Sequence, residues 1–358
     1  MNEPRPKKSI ALPLTLLVLL CLALAAVVAN IVYLRAHQKP AEARLATPTP
    51  EAFQKQTPEP SRAADVPVET ATPVPAAEAS EPPVWQFDSN DERFWKEDAL
   101  WLSGSYRSPD LSVMVETVVD TETFHRRVTY YVADIYVRDV TQIQTASCRG
   151  DFKRAGHGDV EKAAKRVNAL VAISGDYCGF HRDSLVIRNG TVYRKSVRTD
   201  MDVCLLLRDG TMETVLARNV NLKKILEKDP WQAWQFGPAL TNSDGSVRSV
   251  FPDSSLNPRN PRSCIGYVEP GHYKFVVVDG RQKQSRGVTL KELAVLMNSL
   301  GCCVSFNLDG GNSAHFFWED TIFSNPSGGG REISDIIYVA KEEFPASVYY
   351  HGKDGLHL

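Results

Sequence analysis

Apolar and polar residues alternate differently in three successive parts of this 358-residue chain. A continuous apolar run covers residues 10–34, and residues 35–84 contain almost no bulky apolar side chains. From residue 85 onward, short β-branched and apolar runs are separated by turn-forming residues. This pattern predicts a short N-terminal segment (1–9), an apolar span, a linker and a folded domain (85–358).

The apolar run has the length of a membrane-spanning helix. Residues 10–34 can cross a hydrocarbon core about 30 Å thick, and basic residues precede them. Because basic residues favour the cytoplasmic side, we expect residues 1–9 in the cytoplasm and the C-terminal domain outside, as a single-pass protein of the cell membrane. A cleaved signal peptide is the alternative, with small residues such as Ala23 near the cleavage site. Its apolar core would extend for only about 7–15 residues, so we expect an uncleaved signal anchor.

Residues 35–84 have the composition of a disordered linker. They are rich in Pro, Ala, Glu and Thr, and they cannot bury enough surface to offset the chain entropy lost on folding. We expect a semi-extended spacer, although Pro-rich segments also serve as recognition sites for partners. No second linker interrupts residues 85–358, which indicates one ectodomain.

The charge balance argues against one class of partner. The chain has 41 basic and 43 acidic residues, so no strong positive field attracts nucleic acid. The sequence identifies no protein partner.

The folded part is predicted to be an α+β domain of mixed β-sheets with a few packed helices. Asn189-Gly190 and Asp209-Gly210 are typical hairpin turns. A capping-box pair, Thr289 and Glu292, and apolar residues at helical spacing predict a helix from Thr289 to Gly301, and a second helix is predicted over 159–169. The predicted strands cover 112–119, 127–137, 170–174, 263–268, 274–278, 302–308 and 333–339, and the first two have the pattern of a hairpin.

A polar cluster follows the predicted strand 302–308. Asn307, Asp309, Gly310 and Gly311 stand together at its end. The two glycines permit positive φ angles and close approach of a ligand. A simple turn is the structural alternative, because Asn, Asp and Gly are common turn formers.

Other motifs accompany this cluster in a fixed order. They are Ala-Ile-Ser-Gly-Asp-Tyr (172–177), Phe-Gly-Pro-Ala-Leu (236–240), Pro-Arg-Ser-Cys-Ile-Gly (261–266), Val-Val-Val-Asp-Gly-Arg (276–281), Asn-Leu-Asp-Gly-Gly-Asn-Ser-Ala-His (307–315) and Asn-Pro-Ser-Gly-Gly-Gly-Arg (325–331). The series resembles the phosphodiester glycosidase family over roughly residues 167–340. Two positions depart from the pattern usual in bacterial members, with Ser174 in place of Asn and Asn312 in place of a third Gly.

The resemblance implies hydrolysis of a sugar-1-phosphate diester. The family includes the uncovering enzyme of the lysosomal pathway, which removes N-acetylglucosamine from a sugar phosphodiester, and bacterial envelope proteins described as exopolysaccharide-related. We therefore expect a membrane-anchored extracytoplasmic glycosidase that acts on an N-acetylglucosamine-like phosphodiester in envelope or exported polysaccharide. The alternative is a non-catalytic glycan-binding ectodomain that acts in exopolysaccharide assembly.

Two aspartates are the leading catalytic candidates. Asp309 and Asp176 both follow strands within the shared motifs, and paired carboxylates serve as nucleophile, acid or base in glycoside hydrolysis. His315 is a weaker acid/base candidate. Asp309 with Asn307 could instead hold calcium or magnesium, which prefer oxygen ligands.

Arginine and glycine residues are the candidates for phosphate and substrate binding. Guanidinium groups match phosphate oxygens, and Arg262 and Arg331 are preferred over Arg281, whose motif also suits a hairpin turn. Backbone amides around Gly329 could form an anion-binding nest beside Arg331. The remaining substrate-binding candidates are Asn307, Gly310, Gly311 and Ser313.

Aromatic and cysteine residues give two lesser expectations. Trp231, Trp234 and Phe236 could stack on a sugar ring, with a core or rim cluster as the alternative. Six of the seven cysteines follow the predicted span. We expect one or two disulfides at most, with Cys148 and Cys178 as a plausible pair.

Overall fold

The computed structural model describes residues 91–96, 99–154, 156–251 and 254–342. Within these ranges, no helix combines the length and apolar character needed to cross a bilayer. The predicted span 10–34 and the predicted linker 35–84 lie outside the described residues and stay predictions.

The described part of the chain is mostly β-structure arranged in three sheets. The strands are β1 Leu100–Leu102, β2 Ser105–Arg107, β3 Leu111–Asp120, β4 Val128–Val137, β5 Gln144–Ser147, β6 Ala169–Ser174, β7 Val186–Arg188, β8 Thr191–Arg194, β9 Asp202–Leu206, β10 Met212–Val215, β11 Gln232–Phe236, β12 Arg262–Glu269, β13 His272–Val278, β14 Val304–Asn307, β15 Phe316–Trp318, β16 Thr321–Ile322 and β17 Asp335–Ala340. The strand orders are β1-β2-β3-β4-β13-β12-β14, β10-β9-β11-β7-β8 and β16-β15-β6-β17-β5.

All pairings between these strands are antiparallel. The prediction of mixed sheets is therefore wrong for the described residues, whereas that of an α+β fold agrees with them. Successive strands such as β3 and β4 or β12 and β13 are joined by short connections, which permit only antiparallel pairing.

Two of the predicted hairpins show how local sequence determines pairing. The predicted strands 112–119 and 127–137 are confirmed as β3 and β4, which pair along their full length. At the turn between β7 and β8, Asn189 and Gly190 have φ values of 49° and 71°. Both values suit the two-residue turn that matches strand twist.

Among the described residues, three short α-helices cover faces of the sheets. They are α1 Val160–Arg166, α2 Leu222–Glu227 and α3 Leu290–Ser299. The predicted capping box of α3 is confirmed, because the Thr289 hydroxyl accepts from the Glu292 N–H and the Glu292 carboxylate accepts from the Thr289 N–H. Each helix buries one apolar face: α1 against the third sheet, α2 against the second and α3 against β12 and β13 of the first.

The main core lies where the three sheets face one another. Trp234 of β11, Phe275 of β13 and Phe316 of β15 are fully buried in one cluster. Burial of such rings stabilises the fold by about 25 cal/mol per Å² of apolar surface. Trp234 is therefore a core residue, in agreement with the alternative that this aromatic group forms a core or rim cluster. This shared core brings the ends of strands from different sheets together.

Candidate active site

The ends of β6, β11 and β14, one strand from each sheet, meet at a single place. The Asp309 N–H, just after β14, donates to the Gly175 carbonyl after β6 at 2.9 Å. The Asn307 side-chain amide donates to the Gly237 carbonyl after β11 at 2.8 Å. Polar residues that are far apart in sequence therefore converge at this point.

Asp309 is the buried carboxylate at the centre of this region. Its side chain is 6% exposed. Burial raises the pKa of Asp309 to about 6, and the Ser313 hydroxyl and the Arg331 charge offset this effect only in part. A carboxyl group with such a pKa exchanges protons near neutral pH, as acid/base catalysis requires.

Arg331 connects Asp309 to an aromatic surface. One terminal nitrogen of its guanidinium lies 3.3 Å from each carboxylate oxygen of Asp309. The guanidinium carbon lies 5.4 Å from the centre of the Tyr177 ring and 5.7 Å from that of Phe180. The structure thus brings Arg331 and Asp309 together, as the sequence predicted for two residues of one site.

The aromatic surface is a stack of three rings, which we call the aromatic wall: Tyr177, Phe180 and His157. The centres of Tyr177 and Phe180 are 4.2 Å apart, and those of Phe180 and His157 are 4.7 Å apart. Phe180 is 38% exposed, so the wall presents an apolar face to solvent. This wall was not predicted from the sequence, although Tyr177 and Phe180, three residues apart, both follow the shared Gly-Asp motif.

Steric constraints explain why glycine occupies positions 310 and 311. A Cβ atom on Gly310 would lie 2.6 Å from the Pro261 carbonyl oxygen, so no side chain fits there. Gly311 has φ of +63°, a conformation that side-chain-bearing residues rarely adopt. The turn that they form carries Ser313, whose hydroxyl accepts from Nε of Arg331 at 2.6 Å. The glycines therefore shape the site, and Ser313 contacts its arginine directly.

His315 lies on the same segment in a defined tautomer. Its Nδ1 is 2.8 Å from the Ser313 carbonyl oxygen. Because a carbonyl only accepts, Nδ1 carries the proton and Nε2 has a lone pair in the neutral ring. Burial lowers the pKa of His315, which favours this neutral form. Gly330 packs against Nε2, and a Cβ there would lie 2.3 Å from it.

Ser174, one of the two departures from the bacterial pattern, forms hydrogen bonds with the segment that carries Ser313 and His315. Its hydroxyl donates to the Ser313 carbonyl and accepts from the His315 N–H at 3.1 Å. Ser174 is fully buried. The substituted residue therefore fixes the backbone that carries Ser313 and His315.

Asp176 lies in the protein interior within a charged triad that we call the buried triad: Asp176, Arg188 and Asp335. Arg188 lies 2.7 Å from the Asp176 carboxylate and 3.0 Å from that of Asp335, and all three side chains are 0% exposed. The Asp176 oxygens also accept from the backbone N–H groups of Cys178 and Gln235. With its oxygens occupied, Asp176 is placed to organise the site rather than to touch substrate.

Sequence analysis missed the other two members of the buried triad. Arg188 precedes a turn and has the sequence context of an exposed hairpin residue. Asp335 was the better clue, because it is an acidic residue inside the predicted apolar strand 333–339. Burial, followed by the charge of Asp176, raises the pKa of Asp335.

Arg262 is buried and held by backbone carbonyls, so the predicted role in phosphate binding does not fit its position. Its Nε donates to the Val288 carbonyl at 3.0 Å, and its NH2 group donates to the carbonyls of Leu256 and Pro258 at 2.5 and 2.8 Å. The residue is 2% exposed, and burial lowers its pKa to about 10. The carbonyls that hold this guanidinium within the core leave it no open face for phosphate.

The glycine turn around Gly329 does not present the predicted nest. The N–H groups of Gly329 and Gly330 donate to the carbonyls of Pro326 and Ser327 at 3.1 and 3.2 Å. Those two donors are thus engaged within their own turn. The turn instead positions Arg331, which follows it directly.

The residues around Asp309 do not favour calcium or magnesium, the alternative considered for Asp309 and Asn307. Arg331 contacts both Asp309 oxygens and would repel a cation there. Asn307 contributes a buried Oδ1 with no hydrogen-bond partner in the described residues. Among those residues, the acidic and thiol groups that cluster are Asp176, Cys178 and Asp335, and Arg188 already neutralises that group.

The cysteines of the described residues are all free thiols. The expected bridge between Cys148 and Cys178 is therefore wrong. Cys178 lies instead beside the buried triad, with Sγ 3.8 Å from an Asp335 oxygen. Burial raises the pKa of both thiols well above the usual range.

One known protein family matches the part of the chain that carries this site. Residues 167–340 match the family model described as phosphodiester glycosidase. These residues belong to the phosphodiester glycosidase family. The prediction from the ordered motifs is confirmed over the same range. The phosphodiester glycosidase domain includes both Asp309 and Arg331, together with Tyr177 and Phe180 of the aromatic wall.

Known proteins similar to this chain include one curated relative and one solved structure. The SPbeta prophage-derived uncharacterized protein YomE of Bacillus subtilis (strain 168) is 31% identical over 196 residues, which are 53% of this chain and 30% of that protein. The chain thus spans less than a third of the length of this relative. The catalytic domain of zebrafish N-acetylglucosamine-1-phosphodiester alpha-N-acetylglucosaminidase, auto-inhibited by its pro-peptide, matches with a TM-score of 0.54 at 19% identity, over 66% of this chain and 85% of that chain. This likeness shows a shared fold.

Proposed function

We propose that this protein hydrolyses the bond between a sugar and phosphate in a phosphodiester, and that the sugar resembles N-acetylglucosamine. The observation that carries the proposal is Asp309, a buried carboxylate with a raised pKa that faces Arg331 beside an exposed aromatic wall. Membership of the phosphodiester glycosidase family supports the reaction class. The name of the zebrafish enzyme that shares the fold supports the choice of sugar.

In this proposal, Asp309 acts in its ionised form. Glycoside cleavage develops positive charge at the anomeric carbon, and a carboxylate in a water-poor site stabilises that charge strongly. Phosphate departs readily without prior protonation. A single carboxylate facing the substrate therefore suffices in this proposal, which agrees with the enclosure of Asp176 in the buried triad.

The neighbouring residues have supporting roles. Arg331 places a positive charge beside the Asp309 carboxylate, and Ser313 fixes the Arg331 guanidinium. The Nε2 lone pair of neutral His315 accepts the proton of the attacking water. The aromatic wall stacks against the apolar face of the sugar, as aromatic rings do with flat apolar surfaces.

The proposed location follows from the sequence alone. The apolar run 10–34 and the basic residues before it support a signal anchor with the catalytic domain outside the cell membrane. The Pro-rich segment 35–84 supports a spacer between the two. Such a layout suits a substrate in envelope or exported polysaccharide, as for the exopolysaccharide-related proteins that the motifs resemble.

Turnover of a defined substrate tests the proposal. The full chain, purified in detergent, is incubated with an aryl phosphodiester of α-N-acetylglucosamine, beside the Asp309→Asn variant and with or without a chelator. Release of free sugar by the wild type alone is the expected result, unchanged by chelator. Sugar-phosphate binding without turnover would instead support a glycan-binding protein, and loss of activity with chelator would restore the metal hypothesis.

A further inference from the structure

Arg281 is the third arginine of the sequence motifs, and it lies in the loop that follows β13. Its guanidinium donates to the Asn312 side-chain oxygen at 2.8 Å and lies against Gly311. We propose that Arg281 binds the phosphate of the leaving group, and that Asn312 positions the Arg281 guanidinium. The inference rests on the proposed function, because it names the group that binds the non-sugar half of the substrate.

The contacts of Arg281 leave its charge available. Nε and NH2 donate to Oδ1 of Asn260 at 3.1 and 2.8 Å, and NH1 donates to Asn312. These acceptors are neutral amide oxygens, and Arg281 forms no ion pair with the described residues. The side chain is exposed. A rigidly held guanidinium without a carboxylate partner is suited to bind phosphate oxygens.

The other two arginines are committed elsewhere. Arg331 faces the Asp309 carboxylate, which repels a phosphate anion. Arg262 is buried among backbone carbonyls. Of the three arginines predicted from the sequence motifs, Arg281 is thus the one that combines exposure with an uncompensated charge.

The loop holds Arg281 in an uncommon backbone conformation. Arg281 has φ of +57°, in the region that non-glycine residues seldom occupy. The preceding Asp279 fixes the loop, since its carboxylate accepts from the Tyr131 hydroxyl at 2.9 Å and from the Asn325 N–H at 3.1 Å. Such local strain persists where surrounding structure enforces it and is frequent at ligand-binding sites.

Asn312 links this loop to the segment that follows Asp309. It lies three residues after Asp309, and its oxygen is the acceptor for Arg281. The Asn312 side chain therefore fixes a guanidinium that a glycine at this position would leave less constrained, which makes Asn312 a positioning residue for the proposed phosphate site.

Calorimetric binding to methyl phosphate and, separately, to N-acetylglucosamine tests this assignment in the full chain. The variants are Arg281→Gln, Asn312→Asp and Arg331→Gln. The control is Arg286→Gln, at an exposed arginine of the same loop whose side chain makes no hydrogen bond or ion pair with other described residues. We expect Arg281→Gln to weaken methyl phosphate binding about 10- to 100-fold, because a charge-assisted contact is lost. Sugar binding should change less than about 2-fold, within the range of surface substitutions.

The remaining results separate the inference from its alternatives. Asn312→Asp should also weaken methyl phosphate binding, because the new carboxylate would pair with Arg281. Equal loss of phosphate and sugar binding in Arg281→Gln would show a structural role and overturn the assignment. So would a larger phosphate loss in Arg331→Gln or Arg286→Gln, or no measurable methyl phosphate binding by the wild type. If these binding results hold and the wild type lacks turnover, the proposed reaction fails while the phosphate site stands.

Discussion

Arg331 contacts Asp309 through one guanidinium nitrogen that lies 3.3 Å from both carboxylate oxygens. Charge-assisted hydrogen bonds between such groups are usually about 2.7–2.9 Å long. The pair is therefore loose, while the Arg331 to Ser313 contact is short at 2.6 Å. This geometry explains why burial outweighs the nearby cation and keeps the pKa of Asp309 near 6.

Replacement of the central carboxylate should remove activity without unfolding the protein. Asp309→Asn keeps the size of the side chain but removes its negative charge, so we expect kcat/KM to fall by roughly 10²–10⁴. Steady-state kinetics measures the loss, and thermal melting checks the fold. Asp320→Asn, at an exposed carboxylate paired with Lys341, is the matched control. Retention of more than a tenth of wild-type activity in Asp309→Asn would exclude this residue as the central group.

The pH dependence of activity should report the Asp309–Arg331 pair. If ionised Asp309 is the active form, kcat/KM declines as pH falls below about 6. The Arg331 charge lowers the pKa of Asp309, so Arg331→Gln should move this acidic limb to higher pH. Arg331→Lys keeps the charge and should move it less. An acidic limb that stays in place in Arg331→Gln would show that another group titrates.

The same carboxylate should reduce stability at neutral pH. Its folded-state pKa of about 6 exceeds the ordinary value of 3.8. Between these values the folded state binds more protons than the unfolded state, so stability falls as pH rises and the loss is complete above about 6. The neutral Asp309→Asn variant avoids this loss, which is on the order of 2–3 kcal/mol.

Urea unfolding at pH 4 and pH 8 measures this effect. The free energy of unfolding of Asp309→Asn minus that of the wild type should be larger at pH 8 than at pH 4, because only the wild type loses stability as pH rises. Other titrating groups cancel in the difference between the two proteins. The same relative stability at both pH values would contradict a raised pKa.

The aromatic wall should contribute to substrate affinity more than to the chemical step. Phe180→Ala removes an exposed ring from the stack, and we expect KM to rise about 10-fold with little change in kcat. Tyr193→Ala removes another exposed ring, which contacts Phe152 rather than the wall. Comparable KM values for the two variants would show that the wall does not bind sugar.

Replacing the arginine of the buried triad should destabilise the protein more than replacing Asp335. Arg188→Met leaves two buried carboxylates without their cation and should cost about 3–5 kcal/mol of unfolding free energy. Asp335→Asn should cost much less, because burial already raises the pKa of Asp335 toward the neutral form. Chemical denaturation of both variants provides the comparison. Equal costs would contradict the raised pKa of Asp335.

Local sequence was sufficient to predict several elements of the fold. The β3–β4 hairpin and the capping box of α3 depend on neighbouring residues alone, and both were predicted. The polar motif after β14 was also evident, because Asn307 and Asp309 interrupt an apolar strand. Its steric details, such as the approach of Gly310 to Pro261, depend on residues distant in sequence.

The roles of the charged side chains could not be predicted in the same way. Arg262, Arg281 and Arg331 occur in equally suggestive motifs, yet carbonyls enclose the first, amides hold the second and a carboxylate faces the third. Residue type specifies the chemistry that is available, and the tertiary neighbours decide which part of it is used. Arg188 illustrates the same limit, because its two carboxylate partners come from distant strands.

The hydrogen bond between Ser174 and Ser313 has a consequence for folding kinetics. It joins residues 139 positions apart, and contacts of such separation form slowly because loop closure must precede them. The segment that carries Ser313 and His315 therefore reaches its native conformation only after long-range strand pairing, late in the folding reaction. Under the proposed function, a refolding chain should recover secondary structure well before it recovers turnover, so that a newly made chain stays inactive until its tertiary structure is complete.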